Sequence, residues 1–466
     1  MSRRAASKAN GPVARSAEGR PVKAPRLCDL RDALDGVVPA ALCTCDADGM
    51  PNTAYVSQVF HVDEQHVAVS FQFFNKTRKN ILDNPQAAVL LVDPTTAQQW
   101  RLHLRYLRTE DSGAVFESMK AQLAGIASHT GMDSVFKLRG ADIYRVEHID
   151  QVPGEPLPCA LPNAGRLAAM RRCSEALARC TMLEDALDVV LRTITGALEM
   201  EHAMLLLNDP VRQRLYTIAS HGYPTSGVGS EVQFGQGVIG VCARERTAVR
   251  IGHMANATLY SQAMRISLEG SGTAPPQEIP YPGLAQPHSQ LAAPLVSAGS
   301  LRGVLFVESA QERRFTHEDE DLLVAIASHL AAAMEALRAQ PEPAESAPPD
   351  PTLPRPADAR VLQVKRFRSN DSVFINDSYL IKGVAGAILW KLLRDHRGSG
   401  RTEFSNRELR LDASIGLPDL HDNLEARLIL LQRRLAEQAC GLLIEKTGRG
   451  RFRLAVAHSL QLQEAD

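Results

Sequence analysis

Two proline-rich stretches govern what this chain can fold into. Residues 152–165 (VPGEPLPCALPNAG) hold four prolines and two glycines, and residues 340–358 (QPEPAESAPPDPTLPRPAD) hold seven prolines. Proline fixes φ and removes a backbone donor, so neither stretch continues a helix or a central strand. Each reads as an extended linker without a core of its own. One core spanning all 466 residues is thereby excluded. Three folded blocks remain, 26–151, 166–339 and 359–458, flanked by a tail at 1–25 that is poor in large apolar residues and a short tail at 459–466. The expected fold class is a multidomain α+β chain.

Charge divides along the same lines. The net charge of −1 is the sum of +6 over 1–26, −12 over 27–358, +7 over 359–458 and −2 over 459–466. A basic terminal block on an acidic body points to a nucleic-acid partner, or else to a solvated positive surface. No run of 18 uninterrupted apolar residues occurs, so no membrane-spanning helix is expected. Arg3, Arg4 and Lys8 are followed by no apolar core, which excludes a secretory signal. The eight cysteines include no C-x-x-C pair, and reduced thiols in a cytoplasm are the expectation.

The first block alternates as strands do. AALCTCD, PNTAYVSQV, HVAVSFQF, QAAVLLVD, WRLHLRYLRTE and ADIYRVEHI form about six strands, with a short helix from Thr77 and a longer one over 115–128. Few helices and this many strands imply a closed or partly closed barrel. AALCTCDADGMPNTAYVS, FFNKTRKNILDNPQAAVLLVD and the closing ADIYRV resemble the flavin-binding split barrel of the pyridoxamine-phosphate-oxidase-like superfamily. The resemblance implies FMN as cofactor, its phosphate held at the strand–helix junction occupied here by Lys76, Thr77, Arg78 and Lys79. A helix N-terminus flanked by cations suits a phosphate on physical grounds as well. Arg101 and Arg105 are secondary candidates. His61, His66 and His103 show no spacing signature, and no catalytic residue or metal ligand is assigned.

In the second block, Leu183, Leu187, Val190 and Ile194 repeat at helical spacing, and Thr181 with Glu184 predicts a capping box. Strands AMLLLND, LYTIASHG, SQLAAPLVS and RGVLFVES follow, and a last helix carries the stripe Leu322, Ile326, Leu330, Ala333 and Leu337 behind Thr316 and Asp319. GQGVIG, SQLAAPL, GVLFVES and FTHEDEDLL resemble a GAF sensory domain. That resemblance implies a small-molecule ligand, unidentified here, and a homodimer paired through the terminal helices. Cys242 reads as a small buried apolar residue, and the insert 255–288 as a surface loop.

The third block reads as a hairpin, a helix over 384–396, a short helix capped by Ser405 and Glu408, and a third helix capped by Asp422. Two strands then surround a Gly-rich turn. This order, with its ending QRRL…IEKTGRGRFRL, resembles the winged-helix output domain of response regulators. Carried over, the resemblance places Arg427, Arg433 and Arg434 on a DNA-reading helix, and Lys446, Arg449 and Arg451 on the wing. Ile429 and Leu430 leave that helix fewer polar positions than base reading uses, so a helix turned to protein contact is the competing reading. The leading expectation is a ligand- or redox-responsive regulator that binds DNA without turnover. An FMN-dependent oxidoreductase with regulatory appendages is the alternative, and a scaffold the third.

Overall fold

The computed structural model describes residues 25–36, 38–56, 59–71, 76–130, 138–157, 165–252, 254, 279–339, 361–415, 424–448 and 450–465. The expected linker 340–358, most of the insert at 255–288, Asp422 and Arg449 lie outside the described residues. The chain divides into two compact units, one built on 1–119 with 138–161 and the other on 120–137 with 162–466.

The first unit is an antiparallel sheet of seven strands. These are β1 (Ala40–Cys45), β2 (Pro51–Val56), β3 (Val59–Asp63), β4 (His66–Phe71), β5 (Gln86–Val92), β6 (Gln99–Glu110) and β7 (Gly140–Gln151). The strand order is β2-β1-β5-β6-β7-β4-β3. PNTAYVSQV, expected as one strand, holds β2 and only the first residue of β3, and those two strands lie at opposite ends of that order. The two-residue period decides which side chains enter the core. Leu102 and Leu104 on β6 are fully buried with Val89 and Leu91 on β5, while Arg101 and Arg105 on either side of the pair are exposed. The helices are α1 (Arg31–Leu34), α2 (Lys76–Asp83) and the start of α3 (Ala114–Thr130), whose residues from Lys120 onward belong to the second unit.

In the second unit, six strands pair in the order β10-β9-β8-β13-β12-β11. They are β8 (His202–Asp209), β9 (Arg214–His221), β10 (Glu231–Gln233), β11 (Val249–Ile251), β12 (Ser289–Ser297) and β13 (Ser300–Ser309). Leu305 and Val307 point to one face of β13, where α4 (Arg166–Leu177), α5 (Leu183–Arg192) and the last helix pack. Val304 and Phe306 point to the other, under α6 (Gly237–Glu245). The last helix, α7 (His317–Ala339), is long and apolar enough to cross a membrane by composition. It lays Leu323, Ile326 and Leu330 into the sheet core instead. Thr316 and Asp319 cap it reciprocally, with the Asp319 Oδ2 accepting from the Thr316 amide at 2.8 Å. The box expected at Thr181 does not form: Met182 is the N-cap of α5 with no side-chain bond, and Glu184 is engaged elsewhere.

The GQGVIG stretch owes its glycines to backbone crowding. Gly235 and Gly237 take positive φ, and a Cβ on Gly240 would lie 2.2 Å from the Gln233 carbonyl oxygen. Gly240→Ala therefore drives backbone against backbone, and we expect a loss of about 2–3 kcal/mol. Urea unfolding of the full chain measures it. A loss below the size of an ordinary surface substitution would show that α6 can shift aside.

Two further sheets follow, ordered β16-β15-β14-β20 and β17-β19-β18. Their strands are β14 (Val361–Phe367), β15 (Ser372–Ile375), β16 (Ser378–Ile381), β17 (Glu403–Ser405), β18 (Leu442–Gly448), β19 (Arg451–Val456) and β20 (Ser459–Ala465). Between them lie α8 (Val384–Ser399), α9 (Asn406–Leu411) and α10 (Leu424–Gln438). Ser405 and Glu408 form the expected capping box of α9. Residues 459–465, expected as a tail, form β20 parallel to β14. The alternation that holds it there was present in the sequence: Leu460 and Leu462 pack on the core while Gln461 and Gln463 alternate with them. One apolar cluster runs without interruption from α4, α5 and α7 through β14, α8 and α10.

Candidate functional site

The strand–helix junction of the first unit brings together only part of the expected phosphate cluster. Lys76 and Lys79 are exposed on the first turn of α2, where backbone N–H groups lack helical partners. Thr77 Oγ1 accepts a hydrogen bond from Asn52 Nδ2 at 3.0 Å, which ties the turn to β2. Arg78 turns inward instead. Its guanidinium pairs with Asp142 on β7 and lies over the Tyr106 ring, 5.8 Å from the centroid. Burial opposes the Arg78 charge, but the Asp142 carboxylate outweighs it, and the guanidinium pKa is raised. Asp142, 6% exposed, also accepts from Thr109 Oγ1 at 2.6 Å. Lys76, Lys79 and the helix N-terminus thus form a donor set that fits a phosphate, while Arg78 serves as an internal brace.

Of the unassigned histidines, His103 converges with His148, which the sequence reading did not single out, on one carboxylate, at 2.9 and 2.8 Å from Asp150. The hydrogen bond from His103 leads the effects that hold the Asp150 carboxyl below its ordinary pKa. His66 pairs locally with Asp63.

The basic residues of the third block are arranged quite differently from a solvated positive face. Helix α10 is buried on nearly all sides: Leu424, Leu428, Leu431 and Leu435 are in the core as expected, and so are Ile429 and Leu430. Arg427, 7% exposed, donates to Asp209 Oδ2 at 2.9 Å and lies 4.3 Å above the centroid of Tyr216. Arg433 donates to Asp188 Oδ1 at 2.9 Å and to the Ile218 carbonyl at 3.1 Å. Lys446 on β18 is 3.0 Å from Glu184 on α5. Lys382 repeats the pattern, 3.1 Å from Glu231 on β10. Arg434 stays within its own block, donating to the Leu380 carbonyl and to Glu437. Arg451 on β19 is half-buried beside the same boundary. Cations of the terminal block thus meet anions of the six-stranded block pair by pair.

A third polar group lies on the α6 face of the six-stranded sheet. Glu308, 1% exposed, accepts from the Leu284 amide at 2.8 Å and from Gln290 Nε2 at 2.9 Å. Beside it the rings of His202 and Tyr223 stand 5.3 Å apart. Among the described residues, the Tyr223 hydroxyl and His202 Nδ1 are buried with no hydrogen-bond partner within bonding distance. Burial first, and Glu308 second, push the Tyr223 hydroxyl well above its ordinary pKa, so it stays a neutral donor.

Sequence reasoning missed the acidic halves of these pairs. Asp142, Asp188 and Asp209 stand far along the chain from their partners, and Glu184 reads as an ordinary helix-capping residue. The one signal that bore on Asp188, Asp209 and Glu184 was the opposite net charge of the terminal block and the stretch before it.

Comparison with known proteins agrees with the division of the chain. Residues 29–146 match the family model described as pyridoxamine 5'-phosphate oxidase, and residues 180–335 match the one described as GAF domain. The chain therefore carries a β-rich pyridoxamine-phosphate-oxidase-like domain followed by a GAF domain. Among solved structures it is similar to the GAF domain of an Acinetobacter phosphoenolpyruvate-protein phosphotransferase, at 22% identity over 38% of this chain and 97% of that one, with a TM-score of 0.31. It is also similar to an FMN-binding protein from Syntrophomonas wolfei, at 15% identity over 27% of this chain and 86% of that one, TM-score 0.23. A third is HupZ from Group A Streptococcus, at 22% identity over 28% and 95%, TM-score 0.22. No curated protein matches the chain.

Proposed function

We propose that this chain is a sensor-regulator in which the flavin-type domain and the GAF domain govern a C-terminal winged helix whose output is DNA binding. The observation that carries this reading is the pairing of Arg427, Arg433 and Lys446 with Asp209, Asp188 and Glu184. A helix that enters a major groove needs its cations for phosphates and base edges. The same cations cannot serve both partners at once, so the GAF acids compete directly with DNA. Output then depends on an equilibrium between a covered and an uncovered α10. A ligand of the GAF domain or a cofactor of the first domain shifts it by its differential affinity for the two states. Duplex-DNA titrations of the full chain against a variant lacking the three acids test the reading.

In the first domain, Lys76, Lys79 and the N–H groups opening α2 hold the phosphate of FMN. When bound, FMN supplies redox chemistry; the chain's own part is to fix that phosphate against the end of the helix. Charge-assisted hydrogen bonds contribute about 1.5–3 kcal/mol each. The Lys76→Gln, Lys79→Gln variant is accordingly expected to bind FMN more weakly by roughly tenfold or more. Flavin fluorescence quenching measures it, and full retention of FMN would place the phosphate away from α2.

A further inference from the structure

Strands β6 and β7 pair with His103 directly opposite His148, and Asp150 follows two residues along β7 on the same face. That face points away from the core, because Leu102 and Leu104 on either side of His103 point into it. Residues directly opposite one another on an antiparallel pair have Cβ atoms about 4.5–5.5 Å apart. The register shifts just after His103, a bulge of the kind that re-aims a side chain. The backbone ladder, rather than a loop, thus brings two imidazoles and a carboxylate together. Both rings turn Nε2 to Asp150, His103 at 2.9 Å from Oδ2 and His148 at 2.8 Å from Oδ1. The ring centroids stand 6.0 Å apart. Two imidazoles on one tetrahedral zinc, with Zn–N of about 2.0–2.1 Å, have centroids about 5 Å apart. Closing the rings by roughly 1 Å therefore lets both Nε2 atoms meet one ion beside the carboxylate. The three side chains are 42–68% exposed, so they can turn without disturbing the core.

We propose that His103, His148 and Asp150 form a binding site for a divalent d-block cation such as zinc, with water completing the coordination. Two nitrogens and one oxygen suit zinc, cobalt, nickel or copper, whereas magnesium and calcium take oxygen ligands. The neutral rings and the Asp150 carboxylate together carry a single negative charge, which favours a cation. Each imidazole ligates through its Nε2 lone pair, so binding moves the ring proton from Nε2 to Nδ1 or to solvent. Arg101, opposite Asp150 in the register, adds a positive charge to that face, and its exposed stem lets the guanidinium turn to water. The proposal involves neither FMN nor DNA, and it stands apart from the regulatory reading above.

The test is isothermal titration of the full chain with zinc chloride in a buffer that does not chelate metal. Saturable binding that includes one zinc per chain at this site is expected. Loss of an outer-shell partner already weakens metal sites about 10–100-fold, so loss of a ligand should cost at least as much. His103→Ala, His148→Ala and Asp150→Asn should each weaken that zinc roughly tenfold or more. His66→Ala, which removes the imidazole of the separate His66–Asp63 pair, should leave it unchanged. Far-UV circular dichroism and the unfolding midpoint confirm that each variant is folded. Absence of saturable binding overturns the proposal and leaves the three residues as a hydrogen-bonded surface bridge. Zinc binding that persists unchanged in both His103→Ala and Asp150→Asn, or that falls equally in His66→Ala, overturns it as well.

Discussion

The triple variant Glu184→Gln, Asp188→Asn, Asp209→Asn is expected to bind duplex DNA about tenfold or more tightly than the unaltered chain. Each substitution removes the anionic partner of a cation on α10 or β18. The two pairs nearer solvent contribute up to about 1 kcal/mol each. The third differs, because Arg427 is 7% exposed and Asp209 is its carboxylate partner. A buried guanidinium stripped of its partner destabilises the covered state by about 3 kcal/mol. Apparent affinity falls with the fraction of chains in the competent state, so weakening the covered state raises affinity until that fraction approaches one. The effect should carry a salt signature, since newly engaged cations release counterions from DNA and steepen the dependence on salt. Arg451→Gln in the same background should flatten that slope. Affinity and slope unchanged from the unaltered chain would leave α10 as a permanent protein contact, and the DNA reading would fail.

How legible this arrangement was in the sequence depends on the range of the interactions involved. Period-two alternation placed β6 correctly because Leu102, Leu104, Arg101 and Arg105 answer only to the two faces of one sheet. Ser405 with Glu408, and Thr316 with Asp319, formed as expected because a cap is a three-residue matter. The Thr181–Glu184 box failed for the opposite reason. Glu184 spends its charge on Lys446, more than 260 residues away, and no local pattern announces that. Arg78 is a parallel case: its position on α2 was readable, but its commitment to Asp142 depends on β7 pairing into the same sheet. Strand β20 was passed over because a four-residue alternation at the end of a chain reads as a tail until β14 offers its edge.

The charge asymmetry shows the same limit from another side. A net of +7 on one block and −12 on the stretch before it was consistent with a nucleic-acid partner. It was equally consistent with the two blocks binding one another, and net charge does not choose between partners. The contacts of Arg427, Arg433, Lys382 and Lys446 satisfy that complementarity within the chain. They also give it a use, since a surface satisfied by ion pairs can be exchanged for another anion more readily than one buried by apolar packing alone. The apolar part of α10, Leu424, Ile429, Leu431 and Leu435, belongs to its own domain's core as well and limits how far the helix can move.

The largest effect on the first domain is expected from Asp142→Asn, a loss of about 3–5 kcal/mol in the stability of the seven-stranded unit. Asp142 and Arg78 are both largely shielded from water, with side-chain exposures of 8% and 14%. Removing one charge of such a pair leaves the other desolvated and uncompensated, which is far more damaging than removing both. The Thr109 hydroxyl bond, made to the same carboxylate, is weakened as well. The double variant Arg78→Met, Asp142→Asn should therefore recover a large part of the loss, because methionine fills the guanidinium's place beside Tyr106 without a charge. Urea unfolding followed by tryptophan emission reports on this unit through Trp100 on β6; Trp390, on α8, reports on the other. A double variant no more stable than Asp142→Asn alone would show that the carboxylate acts through Thr109 rather than through the ion pair. The measurement also separates two roles that the sequence ran together. If Arg78 is a brace, the double variant refolds and keeps its FMN affinity, whereas loss of flavin in a chain of restored stability would return Arg78 to the phosphate site beside Lys76 and Lys79.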